Sequence, residues 1–276
     1  AAGAVKKAPK RGAHRKKRDR SPWPGMMLHQ DGSQHLWVPG QYWDLIVTMD
    51  DATNEHYSMF FCDEEGTHSS FQGVRDVIEG QGLFCSLYTD RGSHYWNTPE
   101  AGGKVDKVNL TQFGRAMGQL GIEMIPAYSP EARGRSERVF STHQNRLVKE
   151  LALAGITDMK SANKYLIETY LPAYNAEFTQ PPPEDGTAFV ECRDLSVLDD
   201  ILCERYERTV RKDNCVLFNG LELQIPADRH RCHYVKAKVK VLRFTDNTLA
   251  IHHGPRELAR YDAQGQEIPN ELPAAA

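Results

Sequence analysis

The hydrophobic pattern near the start of the chain predicts three closely spaced β-strands, over residues 26–38, 42–49 and 56–62. The middle segment is almost continuously apolar, as in a strand that is buried on both faces. Because the connections between the three segments are short, we expect neighbouring strands to run antiparallel, as a meander.

Helix-like and strand-like patterns then alternate. Apolar residues recur at helical spacing over 69–80, and 83–89 is a fourth strand candidate. A second helix is predicted over 109–120 with Asn109 as its N-cap, followed by a short strand over 122–127. A helix between two strands implies a crossover, so these later strands are predicted to run parallel.

Two longer helical patterns follow, over 132–154 and 159–178, and a triple proline at 181–183 ends the second. The resulting order is β-β-β-α-β-α-β-α-α. This order predicts an α/β fold of the ribonuclease H type, a mixed five-stranded sheet flanked by helices, over residues 25–180.

The pattern beyond residue 180 predicts a second unit. A linker is expected over 181–195 and a helix over 197–211. Short strand-like runs then recur over 216–218, 221–225, 234–244, 248–252 and 257–261. With a hairpin signal at Asn219-Gly220, these runs predict a small all-β barrel over 196–265, and 266–276 is left as a tail.

Charge is segregated along the chain. The net charge of the whole chain is −3, but residues 1–20 contain nine Lys and Arg against Asp19 alone. We interpret residues 1–24 as a disordered arm that is attracted to a polyanion, with a solubilising tail or a targeting signal as the alternative. The candidate phosphate contacts in this arm are Lys6, Lys7, Arg15, Lys16, Lys17 and Arg18.

Composition places the chain among globular proteins. With 40% hydrophobic residues it can bury a core, and no apolar run approaches the ~20 residues that cross a bilayer. Six scattered cysteines without a CxxC pair fit a reducing compartment. We therefore expect a cytoplasmic protein without a membrane partner. Because the sequence starts at Ala1 without Met, we also expect an upstream domain to be missing.

Three acidic residues occupy positions that the predicted topology brings together. Asp31 lies in the first strand, Asp90 at the carboxyl end of the fourth strand, and Glu137 near the start of the long helix. Converging carboxylates repel one another unless cations offset their charge. Two Mg²⁺ ions would do so, and such a pair can activate an attacking oxygen and stabilise a leaving one in phosphoryl transfer.

Each acidic residue also has a simpler interpretation. Asp31 and Asp90 could each cap a following turn, and Glu137 could form a surface ion pair with Arg133. Glu131 is a rival of Glu137, although it directly follows a proline in a predicted loop. The dipeptide at 50–51 follows a strand and is interpreted as a structural turn.

The amino-acid sequence around these residues resembles the catalytic core of DDE transposases and retroviral-type integrases. The segments that carry the resemblance are 31–33, 48–53, 88–93 and 129–138. The run at 147–151 and the C-terminal stretch look most like bacterial ISNCY-type insertion-sequence transposases. The resemblance covers roughly residues 15–265.

The resemblance implies a function. Asp31 and Asp90 match the two aspartates and Glu137 the glutamate of a two-Mg²⁺ site in which Mn²⁺ can substitute. The implied reaction is hydrolytic cleavage at a transposon end, followed by attack of the 3′ hydroxyl on target DNA. Double-stranded DNA would be the partner, with the protein acting as a homo-oligomer in the nucleoid. The alternative is a catalytically inactive DNA-binding relic.

Two departures from that pattern stand out. Asp90 and Glu137 are 47 positions apart, which is longer than in retroviral integrases, and the excess falls in the loop at 96–108. This departure puts target choice in doubt. The helix-turn-helix that such transposases usually carry upstream is also missing from the sequence.

Further DNA contacts are predicted from two segments. On the long helix they are Arg138, Gln144, Arg146 and Lys149, although a solvated helix face explains these residues nearly as well. On a C-terminal strand, Lys236, Lys238 and Lys240 would line one face, with protection of an edge strand as the alternative. His29 and His94 flank two of the acidic residues and could position water or DNA.

Overall fold

A computed structural model describes residues 19–100, 103–128, 130–227 and 231–269 of the chain. In the helix that begins at Pro130, side chains are described from Arg138 onward. The predicted contacts of the basic arm, from Lys6 to Arg18, therefore lie outside the described residues.

Five strands form the first sheet. They are β1 (Leu28–Val38), β2 (Gln41–Asp50), β3 (His56–Cys62), β4 (Ser86–Thr89) and β5 (Glu123–Pro126). Their order across the sheet is β3-β2-β1-β4-β5. The meander of β1, β2 and β3 is antiparallel, whereas β4 runs parallel to both β1 and β5. The predicted mixed five-stranded sheet is thus confirmed, with the first and fourth strands adjacent.

Helices pack on this sheet and extend beyond it. They are α1 (Thr67–Gly80), α2 (Gln112–Leu120), α3 (Pro130–Leu153), α4 (Met159–Tyr165), α5 (Leu171–Phe178) and α6 (Val197–Ile201). A π-helical turn over Leu166–Tyr170 joins α4 to α5. The predicted cap of α2 is wrong. Thr111 caps the helix by accepting a hydrogen bond from the Gly114 amide at 3.0 Å, whereas Asn109 donates to Asp106.

The two faces of the sheet are buried in separate cores. On one face, Phe71 of α1 and Phe113 of α2 pack with apolar residues of β1 and β4. On the other, Phe140 and Leu147 of α3 pack with Leu45 and its neighbours, beside α4 and α5. The sheet is therefore sandwiched between helices, and α3 is the long helix of the second face.

Helix α1 approaches β1 so closely that a side chain at Gly73 would collide with the sheet. A Cβ at this position would lie 2.3 Å from Nε2 of Gln30, which donates hydrogen bonds to Thr48 and to the Ser70 carbonyl. We expect Gly73→Ala to lower the free energy of unfolding by about 1–3 kcal/mol, since the buried amide must move. Gly80 of the same helix has open space, so Gly80→Ala should raise it by about 0.5–1 kcal/mol.

Urea denaturation of the two variants measures this contrast. A Gly73→Ala protein as stable as the Gly80→Ala protein would show that the close approach of α1 to β1 does not constrain the fold.

The C-terminal part is all-β, as predicted. Its strands are β6 (Glu204–Thr209), β7 (Cys215–Phe218), β8 (Leu221–Gln224), β9 (Lys238–Arg243), β10 (Leu249–His253), β11 (Arg256–Tyr261) and β12 (Glu267–Ile268). Five of them form an antiparallel sheet of order β12-β11-β10-β9-β6, while β7 and β8 form a separate hairpin. Within the described residues, the strands thus form an open sheet and a hairpin, which corrects the prediction of a single barrel.

The hairpin turn at Asn219-Gly220 is confirmed. Both residues have positive φ, 49° and 82°, which is the backbone that a two-residue turn of this type requires. Apolar residues of the hairpin, including Phe218 and Leu223, share a core with Val239 and Val241 of the sheet. The hairpin therefore covers one face of the five-stranded sheet.

The helix predicted over 197–211 is wrong beyond its first turns. Helix α6 ends at Ile201, and the chain continues as β6, which pairs antiparallel with β9. Tyr206 packs on Phe218 of the hairpin. Pairing with β9 and burial of this aromatic ring override the helical pattern, since both depend on residues distant in sequence.

The segment at 181–195, predicted as a linker, packs on the first sheet region. Val190 and Leu83 exchange two backbone hydrogen bonds of 2.7 and 2.9 Å. Leu198 and Leu202, just beyond it, are buried in the core beside α1 and α2. The position of the domain boundary stays a prediction. In the described part of the chain, no helix is both long and apolar enough to span a membrane.

Candidate active site

Adjacent parallel strands bring Asp31 and Asp90 to the same level of the sheet. In the β1–β4 ladder, His29 pairs with Tyr88. Asp31 lies two residues further along β1, and Asp90 lies two residues beyond Tyr88, directly after the end of β4. The rings of His29 and Tyr88 lie 5.0 Å apart, so they share one face. Because side chains alternate with period two, Asp31 and Asp90 are placed on that same face.

Helix α3 covers this face of the sheet. Val139 and Phe140 of α3 line a small cavity together with His29 and Asp31. Glu137 lies in α3 two residues before Val139, but its side chain is outside the described residues. The backbone thus brings the helix segment that contains Glu137 to the sheet face of the two aspartates.

The turn contacts of the two aspartates are present. Gly32 donates its amide to Oδ1 of Asp31 at 3.1 Å, and Gly92 donates its amide to Oδ1 of Asp90 at 2.7 Å. Each of these contacts uses one carboxylate oxygen. A carboxylate offers about four lone-pair sites on two oxygens, so the turn contact and a ligand role are compatible.

The buried hydroxyl of Tyr95 is affected by the negative charges of the site. Its hydroxyl donates a hydrogen bond to Oε1 of Gln30 at 3.2 Å. Burial raises the pKa of Tyr95 well above its ordinary value, and the negative charges of Glu65, Asp31 and Asp90 raise it further. Three carboxylates therefore lie within electrostatic reach of one hydroxyl. Sequence reasoning did not select Glu65, because its proximity depends on how the loop between β3 and α1 folds back.

The dipeptide at 50–51 is structural. Asp50 accepts hydrogen bonds from the amides of Gly25 and Thr53, both at 2.9 Å. Asp51 contacts Nε2 of His29 at 2.8 Å, and it also accepts from the N-terminal segment. These contacts agree with the predicted turn chemistry, and they give His29 a buried structural partner.

The donor chemistry at the junction of β1 and β4 suits a hard divalent cation. Carboxylate oxygens, as offered by Asp31 and Asp90, are the protein ligands that Mg²⁺ and Mn²⁺ prefer. Among the described side chains, no three His, Cys, Asp or Glu residues form a group that could hold a metal ion. The side chain of Glu137, the third expected ligand, is not among the described side chains.

The predicted contacts on α3 are only partly available to DNA. Gln144 donates from Nε2 to the Ser33 hydroxyl at 2.9 Å, so it ties α3 to β1. Arg146 forms ion pairs of 2.7 Å with Glu150 and 2.6 Å with Glu177. These contacts favour a bracing role for both residues. Arg138 and Lys149 are exposed, and both stay candidates for DNA contacts.

The predicted lysine row is shorter than expected. Lys236 precedes β9 and has a left-handed backbone with φ of 64°, so it does not continue the strand. Lys238 forms a 2.7 Å ion pair with Glu207 of β6, while Lys240 is exposed. Because β9 lies between β10 and β6, the alternative of edge-strand protection is wrong.

The chain is similar in sequence to two bacterial transposases. The chain is 32% identical over 194 residues to a putative transposase, y4bF, of Sinorhizobium fredii (strain NBRC 101917 / NGR234). It is 27% identical over 225 residues to the transposase for insertion sequence IS1202 of Streptococcus pneumoniae. Both relatives are thus named as transposases, and one of them belongs to an insertion sequence. The predicted resemblance to transposases is thereby confirmed.

The two alignments cover a larger share of this chain than of the two relatives. The alignments cover 67% and 82% of this chain, but only 41% and 48% of the two transposases. The chain thus spans less than half the length of the curated relatives it matches. No family model matches the chain.

The chain is also similar to two solved retroviral structures. One is the simian T-cell lymphotropic virus intasome in complex with PP2A regulatory subunit B56 gamma, with 15% identity, a TM-score of 0.47, and coverage of 96% of this chain and 83% of that one. Another is the HTLV-2 integrase catalytic core domain in complex with magnesium, with 15% identity, a TM-score of 0.42, and coverage of 53% and 87%.

Proposed function

We propose that this chain contains the catalytic part of a DNA transposase, which cleaves DNA at transposon ends by hydrolysis and joins the resulting 3′ hydroxyl to target DNA. The observation that carries the proposal is the placement of Asp31 and Asp90 at the same level of adjacent parallel strands, beneath the helix that contains Glu137. Similarity to insertion-sequence transposases supports the choice of DNA as the substrate.

In this proposal Asp31, Asp90 and Glu137 hold two Mg²⁺ ions, for which Mn²⁺ can substitute. When bound, such ions supply charge stabilisation and activation of the attacking oxygen in an in-line displacement. The chain itself supplies a rigid frame. Gly92 orients the carboxylate of Asp90 through its amide, and Gln144 fixes α3 against β1.

The experiment that tests this function is a nicking assay with DNA that carries the element's own ends. We expect single-strand nicks at those ends that require Mg²⁺ or Mn²⁺ and disappear with a chelator. DNA of the same length without the ends is the control. Binding to the ends without cleavage under any metal condition would support the alternative of an inactive DNA-binding relic.

DNA binding by the C-terminal sheet can be tested with two lysines of strand β9, Lys238 and Lys240. The exposed ammonium group of Lys240 can meet a phosphate, whereas that of Lys238 is already held by Glu207. We expect Lys240→Gln to reduce the slope of log affinity against log salt by about one unit, the value for one phosphate contact. Lys238→Gln makes the same change in charge and should reduce the slope by less than half as much.

Fluorescence anisotropy of labelled duplex DNA across a salt series measures both slopes. Equal slopes for the wild type and Lys240→Gln would remove this strand from the proposed DNA interface. The proposal has two further parts. The basic arm, residues 1–24, contacts DNA, and the protein assembles as a homo-oligomer on DNA.

A further inference from the structure

The backbone pairing between β1 and β4 is too short to fix the two aspartates by itself. It consists of Leu28 with Leu87 and His29 with Tyr88, and it ends two residues before Asp31 and Asp90. Beyond this point the spacing of the two strands depends on side chains. One link is the hydrogen bond from the Tyr95 hydroxyl to Gln30, which lies on the opposite face of the sheet from Asp31.

A second link starts directly beside Asp31. The carboxylate of Glu65 occupies the space above Gly32, where a Cβ would lie 2.4 Å from Oε2 of Glu65. The Glu65 amide donates to Oδ2 of Asp44 at 2.7 Å, which fixes the backbone of Glu65 against β2. The backbone of Glu65 is therefore fixed, and its carboxylate occupies the space that the missing side chain of Gly32 leaves open.

From Glu65 the link continues to the turn that contains Asp90. Oε1 of Glu65 lies 3.5 Å from Nε2 of His94, and both side chains are largely shielded from solvent. A Cβ at Gly92 would lie 2.9 Å from Oδ1 of Asp90 and 2.9 Å from Cε1 of His94. The His94 ring thus packs against the turn that orients the Asp90 carboxylate.

The His94 ring also has a buried nitrogen beside the Glu65 carboxylate. Among the described residues, its Nε2 is buried and makes no hydrogen bond, and the Glu65 carboxylate lies at ion-pair distance from it. A buried polar atom without a partner costs about 1–3 kcal/mol, so a small movement of Glu65 that completes the contact is favourable. We therefore treat Glu65 and His94 as one interacting pair.

We propose that Glu65 and His94 form a clasp that sets the separation of Asp31 and Asp90, with both acting as positioning residues for the metal site. This inference rests on the proposed function. The clasp runs from Gly32, next to the first aspartate, through Glu65 and His94 to the turn of the second. It replaces the backbone ladder where that ladder ends.

Metal binding by the full chain tests the clasp directly. We expect Glu65→Ala and His94→Ala each to weaken Mn²⁺ binding by about 10–100-fold, the usual loss when a group that orients metal ligands is removed. Electron paramagnetic resonance of free Mn²⁺ measures the binding, and the Mg²⁺ midpoint of DNA nicking should shift in parallel. Because the two residues act as one unit, the double variant should be no weaker than either single variant.

Two further variants separate the clasp from general effects. Glu64→Ala removes an adjacent exposed carboxylate and should leave Mn²⁺ binding within twofold of the wild type. Glu65→Gln keeps an acceptor oxygen for His94 and should retain binding within about threefold. A Gln variant as weak as the Ala variant would mean that the charge of Glu65 acts on its own, and it would overturn the clasp.

Gly32→Ala offers an independent route to the same contact. The added methyl group would displace the Glu65 carboxylate, so this variant should reproduce the loss seen in Glu65→Ala and add nothing to it. Wild-type Mn²⁺ binding in Glu65→Ala would overturn the clasp alone, provided that the wild type binds Mn²⁺ and nicks DNA. If the wild type does neither, the proposed function fails first.

Discussion

Asp31→Asn, Asp90→Asn and Glu137→Gln are each expected to reduce strand cleavage and strand transfer by roughly a thousandfold or more. Each change removes a negatively charged oxygen donor while it preserves the size of the side chain. The loss therefore falls on the several kcal/mol of charge stabilisation that a metal-assisted displacement requires, and each 1.36 kcal/mol corresponds to a tenfold change in rate. Quantified nicking and joining of end-containing DNA in Mg²⁺ measures the loss.

Controls separate this loss from misfolding. The melting temperature and the affinity for DNA should stay close to those of the wild type in all three variants. Asp63→Asn makes the same change at an exposed position after β3 and should cleave normally. A variant that cleaves at the wild-type rate would remove its residue from the proposed metal site.

Local pattern was sufficient for the first sheet. Strand β3 was predicted with its observed bounds, and the near-continuous apolar run of β2 was assigned to a buried central strand, which it is. These predictions hold because burial on two faces leaves little freedom in sequence. The prediction was wrong where residues distant in sequence determine the secondary structure. An example is β6, whose pairing with β9 overrides a helical pattern.

The candidate site was predicted unevenly for a related reason. Asp31 and Asp90 could be placed from strand order alone, because parallel neighbours bring equivalent positions together. Glu65 could not, since nothing in its local sequence indicates that its carboxylate lies above Gly32. The pairing of Lys238 with Glu207 likewise depends on the strand that lies beside β9. The hydrophobic periodicity of a sequence does not predict which side chains become neighbours across strands that are distant in sequence.

A buried chain of hydrogen bonds fixes the helix that contains Glu137. The Asn54 carbonyl can only accept, so Nδ1 of His56 donates to it at 3.0 Å. Nε2 of His56 must then accept from Nε2 of His143, 3.1 Å away, and Nδ1 of His143 accepts from the Tyr170 hydroxyl at 2.9 Å. In this arrangement both imidazoles are neutral. A further proton on Nε2 of His56 would set two donors against each other, and a further proton on Nδ1 of His143 would reverse its hydrogen bond with Tyr170.

Acid should therefore destabilise the protein through this pair. Burial lowers the pKa of His56 to about 4 and that of His143 to about 2, with the charge of Arg146 adding to the effect on His143. In the unfolded chain both would titrate near 6.5, so between pH 7 and pH 5 the unfolded state binds more protons than the native state. Stability falls as the pH falls, by about 2 kcal/mol at pH 5 for each buried histidine.

The pair is thus expected to cost about 4 kcal/mol between pH 7 and pH 5, and His143→Gln should reduce that dependence by about half. Urea denaturation of both proteins at the two pH values measures the difference. Buried carboxylates such as Asp50 and Asp76, whose pKa burial raises, act with the opposite sign but equally in both proteins. Their contribution cancels in the comparison. An identical pH dependence in the variant would show that His143 is not the group that acid attacks, and that α3 is held in place by other contacts.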